Sequence, residues 1–230
     1  MNLLEEKQPD CPTDKNTCPL QDRIRRLEEK CKELEALSQV DALTGFFNYR
    51  YLMNALEQEM ERTRRTGVPA SLIMGDLDYF KRINDTYGHE NGNLVLKTTA
   101  GIWRSNLRRI DIPCRYGGEE FVFILPGTRL PQAIQTAERL RRSLEKSPLS
   151  LDGKPIVLTG SFGVTGIVQD QDMTSGSIIE TADQLVLRAK SNGRNRVCYD
   201  TYSSIAESTG VRDEEKNLLL GTDRPTKQKR

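Results

Sequence analysis

Two acidic segments constrain this chain more than any other feature of its sequence. In the first, an apolar run gives way to spaced carboxylates at Asp76 and Asp78. In the second, the pair Gly117-Gly118 precedes Glu119-Glu120 and another apolar run. Carboxylates at the end of one strand and in the turn before another can converge on a hard cation. Mg²⁺ accepts this arrangement because it takes its other oxygens from water and substrate phosphates, so the pattern predicts nucleotide chemistry.

Each segment alone has a simpler interpretation. Charged residues make up 29% of the chain, so an Asp-x-Asp pattern by itself is typical of a solvated turn. A glycine pair before a strand is typical of a hairpin. Their occurrence together, with Lys81 just beyond the first pair to meet phosphate charge, favours the functional interpretation.

Further motifs accompany these segments in order along the chain. They are Asp41-Ala42-Leu43-Thr44-Gly45, Phe80-Lys81-x-x-Asn84-Asp85, Gly88-His89 and Ala189-Lys190-x-x-Gly193-Arg194-Asn195. Together with Gly117 to Phe121, which reads G-G-E-E-F, they resemble the GGDEF family, the diguanylate cyclases. The resemblance covers about residues 40 to 200.

The alternation of helical and strand patterns predicts an α/β (α+β) domain. Helices are predicted over 49–65, around 79–85, and over 92–106, 131–145 and 177–191, and strands over 70–76, 113–116, 120–125 and 196–199, with a β-rich stretch over 156–168. The resemblance implies a palm-like nucleotidyl-cyclase fold, with a central, mostly antiparallel sheet flanked by helices. We assign this cyclase domain to residues 40–201.

The flanking segments differ from the domain in composition. Residues 1–18 predict a flexible leader and residues 202–230 a disordered tail. Between leader and domain, apolar residues recur at spacings of four and three, which favours a helical coiled-coil dimerisation stalk over residues 19–39. These positions are Leu20, Ile24, Leu27, Cys31 and Leu34. A single helix packed on its own domain is the alternative, because so few heptads make a weak coiled coil.

Charge and apolar content exclude several classes of partner. The 34 basic and 33 acidic residues nearly cancel, so we expect no nucleic-acid partner. No run of about 18 apolar residues occurs, so we expect no membrane insertion. The first residues lack the basic start and apolar stretch of a signal peptide, which predicts a cytoplasmic protein.

The five cysteines fit no common disulfide or zinc pattern. Cys114 and Cys198 lie in strand-like stretches and are expected to be small buried residues. The sequence assigns no role to Cys11, Cys18 or Cys31.

The resemblance implies an enzyme that joins two GTP molecules into cyclic di-GMP and releases pyrophosphate, acting as a homodimer. It implies two Mg²⁺ (or Mn²⁺) ions per active half-site, held by Asp76, Glu119 and the backbone carbonyl of Leu77. Asp76, Glu119, Glu120 and Lys81 are the implied catalytic residues. Glu120 and Asp78 are close enough in sequence to orient ligands or to assist proton transfer.

Other residues are implied to bind the substrate. The implied set is Phe80, Lys81, Asn84, Asn93, Gly117, Gly118, Lys190 and Arg194. Lys81, Lys190 and Arg194 would be phosphate cations, and the backbone amides of residues 77–81 would cradle the triphosphate at a helix start. The glycine pair would let the substrate approach the backbone without a Cβ in the way.

Asn93 is a departure from the family pattern, which usually has aspartate there. A carboxylate accepts from both N1–H and N2–H of guanine, whereas an amide offers one acceptor and one donor. Adenine presents an acceptor and a donor that an amide can match. The change therefore leaves two alternatives: continued preference for GTP, or a mixed-purine cyclase that also uses ATP and makes cyclic GMP-AMP.

A second site is indicated by Arg108 and Asp111, an R-x-x-D pattern shortly before Gly117. It matches the family's product-inhibition site, at which cyclic di-GMP would bind, with Arg139 as a further arginine. Arginine suits guanine O6 and N7, and a carboxylate suits the N1–H/N2–H edge. A catalytically silent cyclic di-GMP-binding module, or an adaptor acting through the stalk, are the competing classes of function.

Overall fold

The computed structural model describes residues 23–30, 39–168 and 174–200. The chain divides into two compact units, Met1–Gln39 and Val40–Arg230. In the first unit, residues 23–30 form helix α1, on which Ile24 and Leu27 are 49% and 56% exposed. The predicted leader, the tail and the remaining stalk positions at Leu20, Cys31 and Leu34 lie outside the described residues.

The second unit alternates helices and strands, as the sequence predicts. The elements are α2 Tyr49–Thr66, β1 Ala70–Leu77, α3 Phe80–Arg104, β2 Ile112–Gly117, β3 Glu120–Leu125, α4 Leu130–Glu145, β4 Leu149–Leu151, β5 Lys154–Ile156, β6 Gly160–Ile167, α5 Ser175–Ser191 and β7 Val197–Tyr199. None of the helices in the described ranges is long and apolar enough to cross a membrane.

Two predicted element boundaries are wrong. The helices expected around 79–85 and over 92–106 join in α3, which is interrupted by a kink at Gly88 with φ 81° and ψ 164°. The β-rich stretch over 156–168 splits, because Ile156 ends the small hairpin β4–β5 and the long strand β6 begins only at Gly160.

β1 lies at the centre of a five-stranded sheet with the order β2-β3-β1-β6-β7. It pairs antiparallel with both β3 and β6, and only the edge pair β6–β7 is parallel. The predicted central, mostly antiparallel sheet is confirmed. Cys114 on β2 is fully buried as expected, whereas Cys198 is partly exposed because β7 is an edge strand.

Helices cover both faces of the sheet. On the face of α3 and α4, the ring of Trp103 meets Phe121, Phe123 and Phe162 edge to face at centroid distances of 5.0, 5.5 and 5.7 Å. On the other face, buried residues of α2 and α5 pack against apolar side chains of β1 and β3. Because both faces are covered, every residue of β1 is buried, including the carboxylate at its end.

Helix α5 lies directly on the backbone of β6. A Cβ added at Gly163 would fall 2.2 Å from the backbone oxygen of Ala182, so only glycine permits this approach. The contact sets the depth of α5 on the sheet, and therefore the position of the residues at its carboxyl end.

Candidate active site

The acidic residues of the two segments meet where β1 ends. Asp76 is opposite Glu120 on β3 and Ser161 on β6, and it is 5% exposed. The backbone N–H of Leu77 donates to the carbonyl of Glu119 over 3.4 Å. The sheet register therefore brings together Asp76, Leu77, Glu119 and Glu120, which are separated in sequence by the whole of α3 and β2.

Burial and mutual repulsion make this cluster electrostatically unfavourable in its ionised form. Burial raises the pKa of Asp76, the Lys190 ammonium opposes that rise, and Glu119 and Asp78 add to it. Burial also raises the pKa of Glu120, with further contributions from the charges of Asp76 and Asp183. A cation at this position would relieve the repulsion.

The donor set fits a hard divalent ion. Two carboxylates, from Asp76 and Glu119, and the carbonyl of Leu77 are oxygen ligands of the kind that Mg²⁺ takes, with water and phosphate supplying the others. Among the described residues, no group of three or more His, Cys, Asp or Glu side chains is arranged to hold a metal. An ion here would therefore depend on the backbone carbonyl and on oxygens from outside the chain.

Lys190 forms an ion pair with the carboxylate cluster, although its side chain is partly exposed to solvent. Its Nζ lies 2.7 Å from Oδ2 of Asp76, and its side chain is 31% exposed. The sequence assigns Lys190 to phosphate, and the structure gives the ammonium a carboxylate partner at the same strand end.

The turn between β1 and α3 forms the expected helix start, with one difference. The N–H groups of Leu77 and Asp78 already donate to the carbonyls of Glu119 and Thr159, so they are not free for a phosphate. The first N–H groups of a helix have no intrahelical acceptor, so those of residues 79–81 are suited to an anion. Lys81 is exposed, whereas the ring of Phe80 is buried in the core.

Asp78 has a structural environment that the sequence does not reveal. Its carboxylate accepts from Thr159 Oγ1 at 2.8 Å, Ser161 Oγ at 2.7 Å and the backbone N–H of Asn195 at 3.0 Å. It is 6% exposed. These bonds occupy the carboxylate and join three segments of the chain at the end of β1.

The glycine pair forms a turn held by a residue that sequence reasoning missed. Arg115 donates to the carbonyl of Gly118 at 2.8 and 3.0 Å and to Asp41 at 3.1 Å. Gly118 has φ 46°, and no atom of the described chain lies within 4 Å of a Cβ built at Gly117. Packing does not explain the absence of a side chain at Gly117, which is consistent with the close approach of a ligand.

Asp41 remains ionised in this arrangement. Burial raises the pKa of its carboxyl group, but hydrogen bonds from Thr44 and the neighbouring Arg115 outweigh burial and hold that pKa below its ordinary value. The Asp41 turn and the glycine turn are thus linked through one guanidinium.

Asn84 and Asn93, the predicted base-binding residues, both lie on α3, on opposite sides of the kink at Gly88. A Cβ added at Gly92 would fall 1.8 Å from Oδ1 of Asn84. The amide of Asn84 therefore occupies space that only glycine leaves open, while Asn93 is exposed.

Two of the predicted product-site residues, Arg108 and Asp111, lie at a turn before β2, and the third, Arg139, lies on α4. Asp111 is 7% exposed and accepts from the backbone N–H of Arg108 at 2.8 Å. Burial raises the pKa of Asp111, and Arg108 and Arg139 oppose that rise. Its other oxygen, Oδ1, is buried and has no hydrogen-bond partner within the described ranges. Arg139 donates to the carbonyl of Asn106 at 2.9 and 3.1 Å.

The central, mostly antiparallel sheet, covered by helices on both faces, and the carboxylates at the end of β1 define a palm-like α/β domain. The profile described as "Diguanylate cyclase, GGDEF domain" matches residues 38–196. This chain belongs to the GGDEF family.

Curated relatives support the same assignment. Response regulator PleD of Caulobacter vibrioides is 42% identical over 163 residues, which is 70% of this chain and 36% of PleD. Diguanylate cyclase DgcP of Pseudomonas aeruginosa is 40% identical over 185 residues, covering 77% of this chain and 27% of DgcP. The chain thus spans about a third of the length of these relatives.

Solved structures share the fold. The crystal structure of diguanylate cyclase SiaD in complex with its activator SiaC, from Pseudomonas aeruginosa, has a TM-score of 0.68 at 36% identity, covering 79% of this chain and 69% of that one. The GGDEF domain of DgcB from Caulobacter crescentus, in complex with c-di-GMP, has a TM-score of 0.67 at 27% identity. That match covers 70% of this chain and 92% of the DgcB domain.

Proposed function

We propose that this chain is a diguanylate cyclase that condenses two GTP molecules into cyclic di-GMP. The 3′-hydroxyl of each GTP attacks the α-phosphate of the other, two new P–O bonds form, and the bonds to the two pyrophosphate groups break. Each hydroxyl loses its proton. The observation that carries this proposal is the meeting of Asp76 and Glu119 at the end of β1, where the backbone N–H of Leu77 donates to the carbonyl of Glu119.

The metal requirement follows from that donor set. Asp76, Glu119 and the Leu77 carbonyl would hold Mg²⁺ or Mn²⁺, two ions per active half-site. When bound, such ions lower the pKa of an attacking hydroxyl and stabilise phosphoryl charge. Glu120 lies beside Asp76 across the sheet, and its raised pKa suits a group that takes up a proton near the hydroxyl.

Binding of the triphosphate would use the start of α3 and the end of α5. Lys81 is exposed on the first turn of α3, next to the N–H groups of residues 79–81. Lys190 and Arg194 approach the same strand end from α5 and from the turn after it. The open space at Gly117 and Gly118 would let the nucleotide lie against the backbone.

The decisive experiment is to incubate the purified chain with Mg²⁺ and GTP and to measure pyrophosphate and product mass. Asp76→Ala and Glu119→Ala should each retain less than about a tenth of the wild-type rate, because each removes a metal ligand. Glu61→Ala removes an exposed carboxylate on α2 and serves as the control. A rate above about a tenth of the wild-type rate in either site variant would overturn the metal assignment.

A mixed-purine cyclase is the second candidate, and Asn93 is the observation that favours it. Its exposed amide offers one acceptor and one donor, so it can match adenine as well as guanine. One edge contact contributes a limited share of specificity, so GTP remains the first substrate in the proposal.

Product feedback at Arg108, Asp111 and Arg139 is a further part of the proposal. The buried, unpartnered Oδ1 of Asp111 supports it, because a buried acceptor without a donor is unfavourable until a ligand supplies one. The same site would suit a binding module without activity. Metal-dependent release of pyrophosphate from GTP distinguishes the cyclase from that module and from an adaptor.

The proposed active form is a homodimer, because each domain holds one nucleotide and two must face each other. The exposure of Ile24 and Leu27 on α1 supports the stalk as the dimerisation element. Deletion of residues 1–38 should make specific activity fall steeply on dilution. Specific activity independent of concentration in the truncated chain would remove the stalk from the mechanism.

A further inference from the structure

The turn after α5 has a backbone that is unusual for its residues. Gly193, Arg194 and Asn195 all have positive φ, at 107°, 61° and 45°. Arginine is disfavoured there because its Cβ crowds the backbone, whereas asparagine tolerates the left-handed region. Such a conformation persists where the surrounding contacts determine it, and these contacts are found at Asn195.

Asn195 is anchored from two sides. Its backbone N–H donates to Oδ2 of Asp78 at 3.0 Å, next to the strand end that bears Asp76. Its side-chain Nδ2 donates to Oε1 of Glu145 at 2.8 Å, and its Oδ1 accepts from Nη1 of Arg141 at 2.9 Å. The amide group thus engages both an acceptor and a donor of α4.

The partners of Asn195 are themselves fixed. Asp78 is held by Thr159 and Ser161. Arg141 is 14% exposed and also pairs with Glu138 and Glu145. The hydrogen bond from Asn195, followed by those from Arg141, holds the pKa of Glu145 below its ordinary value, so the acceptor is an ionised carboxylate.

Arg194, which directly precedes Asn195, lies against the start of α3. Its guanidinium lies over the ring of Tyr79, with Cζ 4.6 Å from the centroid, and Nη1 is 3.5 Å from the Tyr79 hydroxyl. Tyr79 is the residue from which α3 starts and is itself left-handed, with φ 59°. The guanidinium therefore lies beside the helix start that would receive phosphate.

We propose that Asn195 is a positioning residue for Arg194, linking the phosphate cation to α4 through Glu145 and Arg141 and to β1 through Asp78. This inference rests on the proposed function and on Arg194 as a phosphate cation. A guanidinium fork stabilises phosphate best when its direction is fixed before binding, so loss of the anchor should act through Arg194 alone.

The test is a double-mutant cycle between Asn195→Ala and Arg194→Ala, measured on kcat/KM for GTP with Mg²⁺ and on the affinity for guanosine 5′-(α-thio)triphosphate. Each single variant should lose about tenfold to a hundredfold, the scale of a misplaced catalytic contact. The double variant should be no worse than Arg194→Ala. If the wild type is active and the double variant shows the sum of the losses of the two single variants, Asn195 does not act through Arg194 and the positioning role is wrong.

Two further variants separate positioning from folding. Asn195→Gly removes the side-chain anchor but suits the left-handed backbone at φ 45° better than alanine does. It should therefore lose as much activity as Asn195→Ala while unfolding at a higher temperature than Asn195→Ala. Glu145→Ala should reproduce part of the loss. Its matched control is Glu138→Ala, which removes another partner of Arg141 on the same helix without touching Asn195. An equal effect of Glu138→Ala would overturn the inference.

The affinity for the thio-analogue tests the positioning role of Asn195 independently of turnover. If the wild type binds the thio-analogue and the cycle couples, but no cyclic dinucleotide forms, the proposed function fails and the positioning role stands. If Arg194→Ala changes neither turnover nor binding, Arg194 is not a phosphate cation and the positioning role fails with it.

Discussion

Nζ of Lys190 lies 2.7 Å from Oδ2 of Asp76, which joins the end of α5 to the end of the central strand. Burial nevertheless raises the pKa of Asp76, so the ammonium only partly offsets the cost of a buried charge. A metal would need Asp76 as an ionised carboxylate, whereas burial in this fold favours its protonated form.

The substitution Asp76→Asn should stabilise the protein at pH 7 while abolishing turnover. A carboxyl whose folded pKa lies above its unfolded pKa contributes stability below the unfolded value, and loses it as pH rises through the folded value. Asparagine imitates the neutral form and avoids this loss. The free energy of unfolding, measured in urea without metal or nucleotide, should exceed that of the wild type at pH 7.

The difference in unfolding free energy should shrink below pH about 4, where the unfolded carboxyl is also protonated. Asp152→Asn is the control, because Asp152 is exposed and its φ of 49° also suits asparagine. A less stable Asp76→Asn protein at pH 7 would mean that the pair with Lys190 outweighs burial.

Gly92→Ala should weaken nucleotide binding by displacing the side chain of Asn84. The new Cβ would lie 1.8 Å from Oδ1 of Asn84, so the amide has to turn away from its present position. Loss of one base-edge contact, about 1–3 kcal/mol, should raise KM for GTP by about fivefold to a hundredfold.

The matched control is Gly101→Ala on the same helix, where, beyond the adjoining helix backbone, no atom of the described residues lies within 4 Å of an added Cβ. It should leave KM unchanged and stabilise the helix slightly, by up to about 1 kcal/mol. Equal KM values for Gly92→Ala and Gly101→Ala would mean that Asn84 does not contact the base.

Arg108→Ala should relieve product inhibition while leaving the initial rate similar. The substitution removes a bidentate guanine contact of about 1–3 kcal/mol. The measurement is the inhibition constant for added cyclic di-GMP. Arg109→Ala removes an exposed neighbouring arginine and should leave inhibition intact. Unchanged inhibition in Arg108→Ala would mean that cyclic di-GMP does not inhibit through this turn.

Asn93→Asp should narrow purine tolerance. The carboxylate would accept from both guanine donors and would repel the N1 lone pair of adenine, so the correct contact improves as the wrong one worsens. With equal GTP and ATP, the wild type should form some cyclic GMP-AMP and the variant much less, a change of about 1–3 kcal/mol in discrimination. Identical product ratios would make Asn93 a neutral departure.

Much of the fold could be predicted because its signals are local. The apolar face of α2 and the runs that form β1 and β3 follow directly from residue pattern, and the glycine pair marks the hairpin between β2 and β3. The continuity of α3 was missed because Gly88 interrupts the pattern without ending the helix. The hairpin β4–β5 was missed because its strands have only three residues each.

The supporting residues of the site could not be predicted from pattern. Arg115 and Asn195 act through hydrogen bonds to Asp41 and Asp78, partners 74 and 117 positions away in sequence. Only the sheet register and the packing of α4 and α5 bring such pairs together. Polar residues in turns look alike in sequence, whether they anchor a site or face solvent.

The contact between Gly163 and Ala182 also bears on how such a domain can be regulated. Because the backbones of β6 and α5 approach so closely, the helix cannot move closer to the sheet. Its carboxyl end therefore keeps Lys190 at a fixed height above the strand end. If the proposed homodimer is the active form, we expect a regulatory signal to change how often the two domains face each other, and not the shape of the site in either domain.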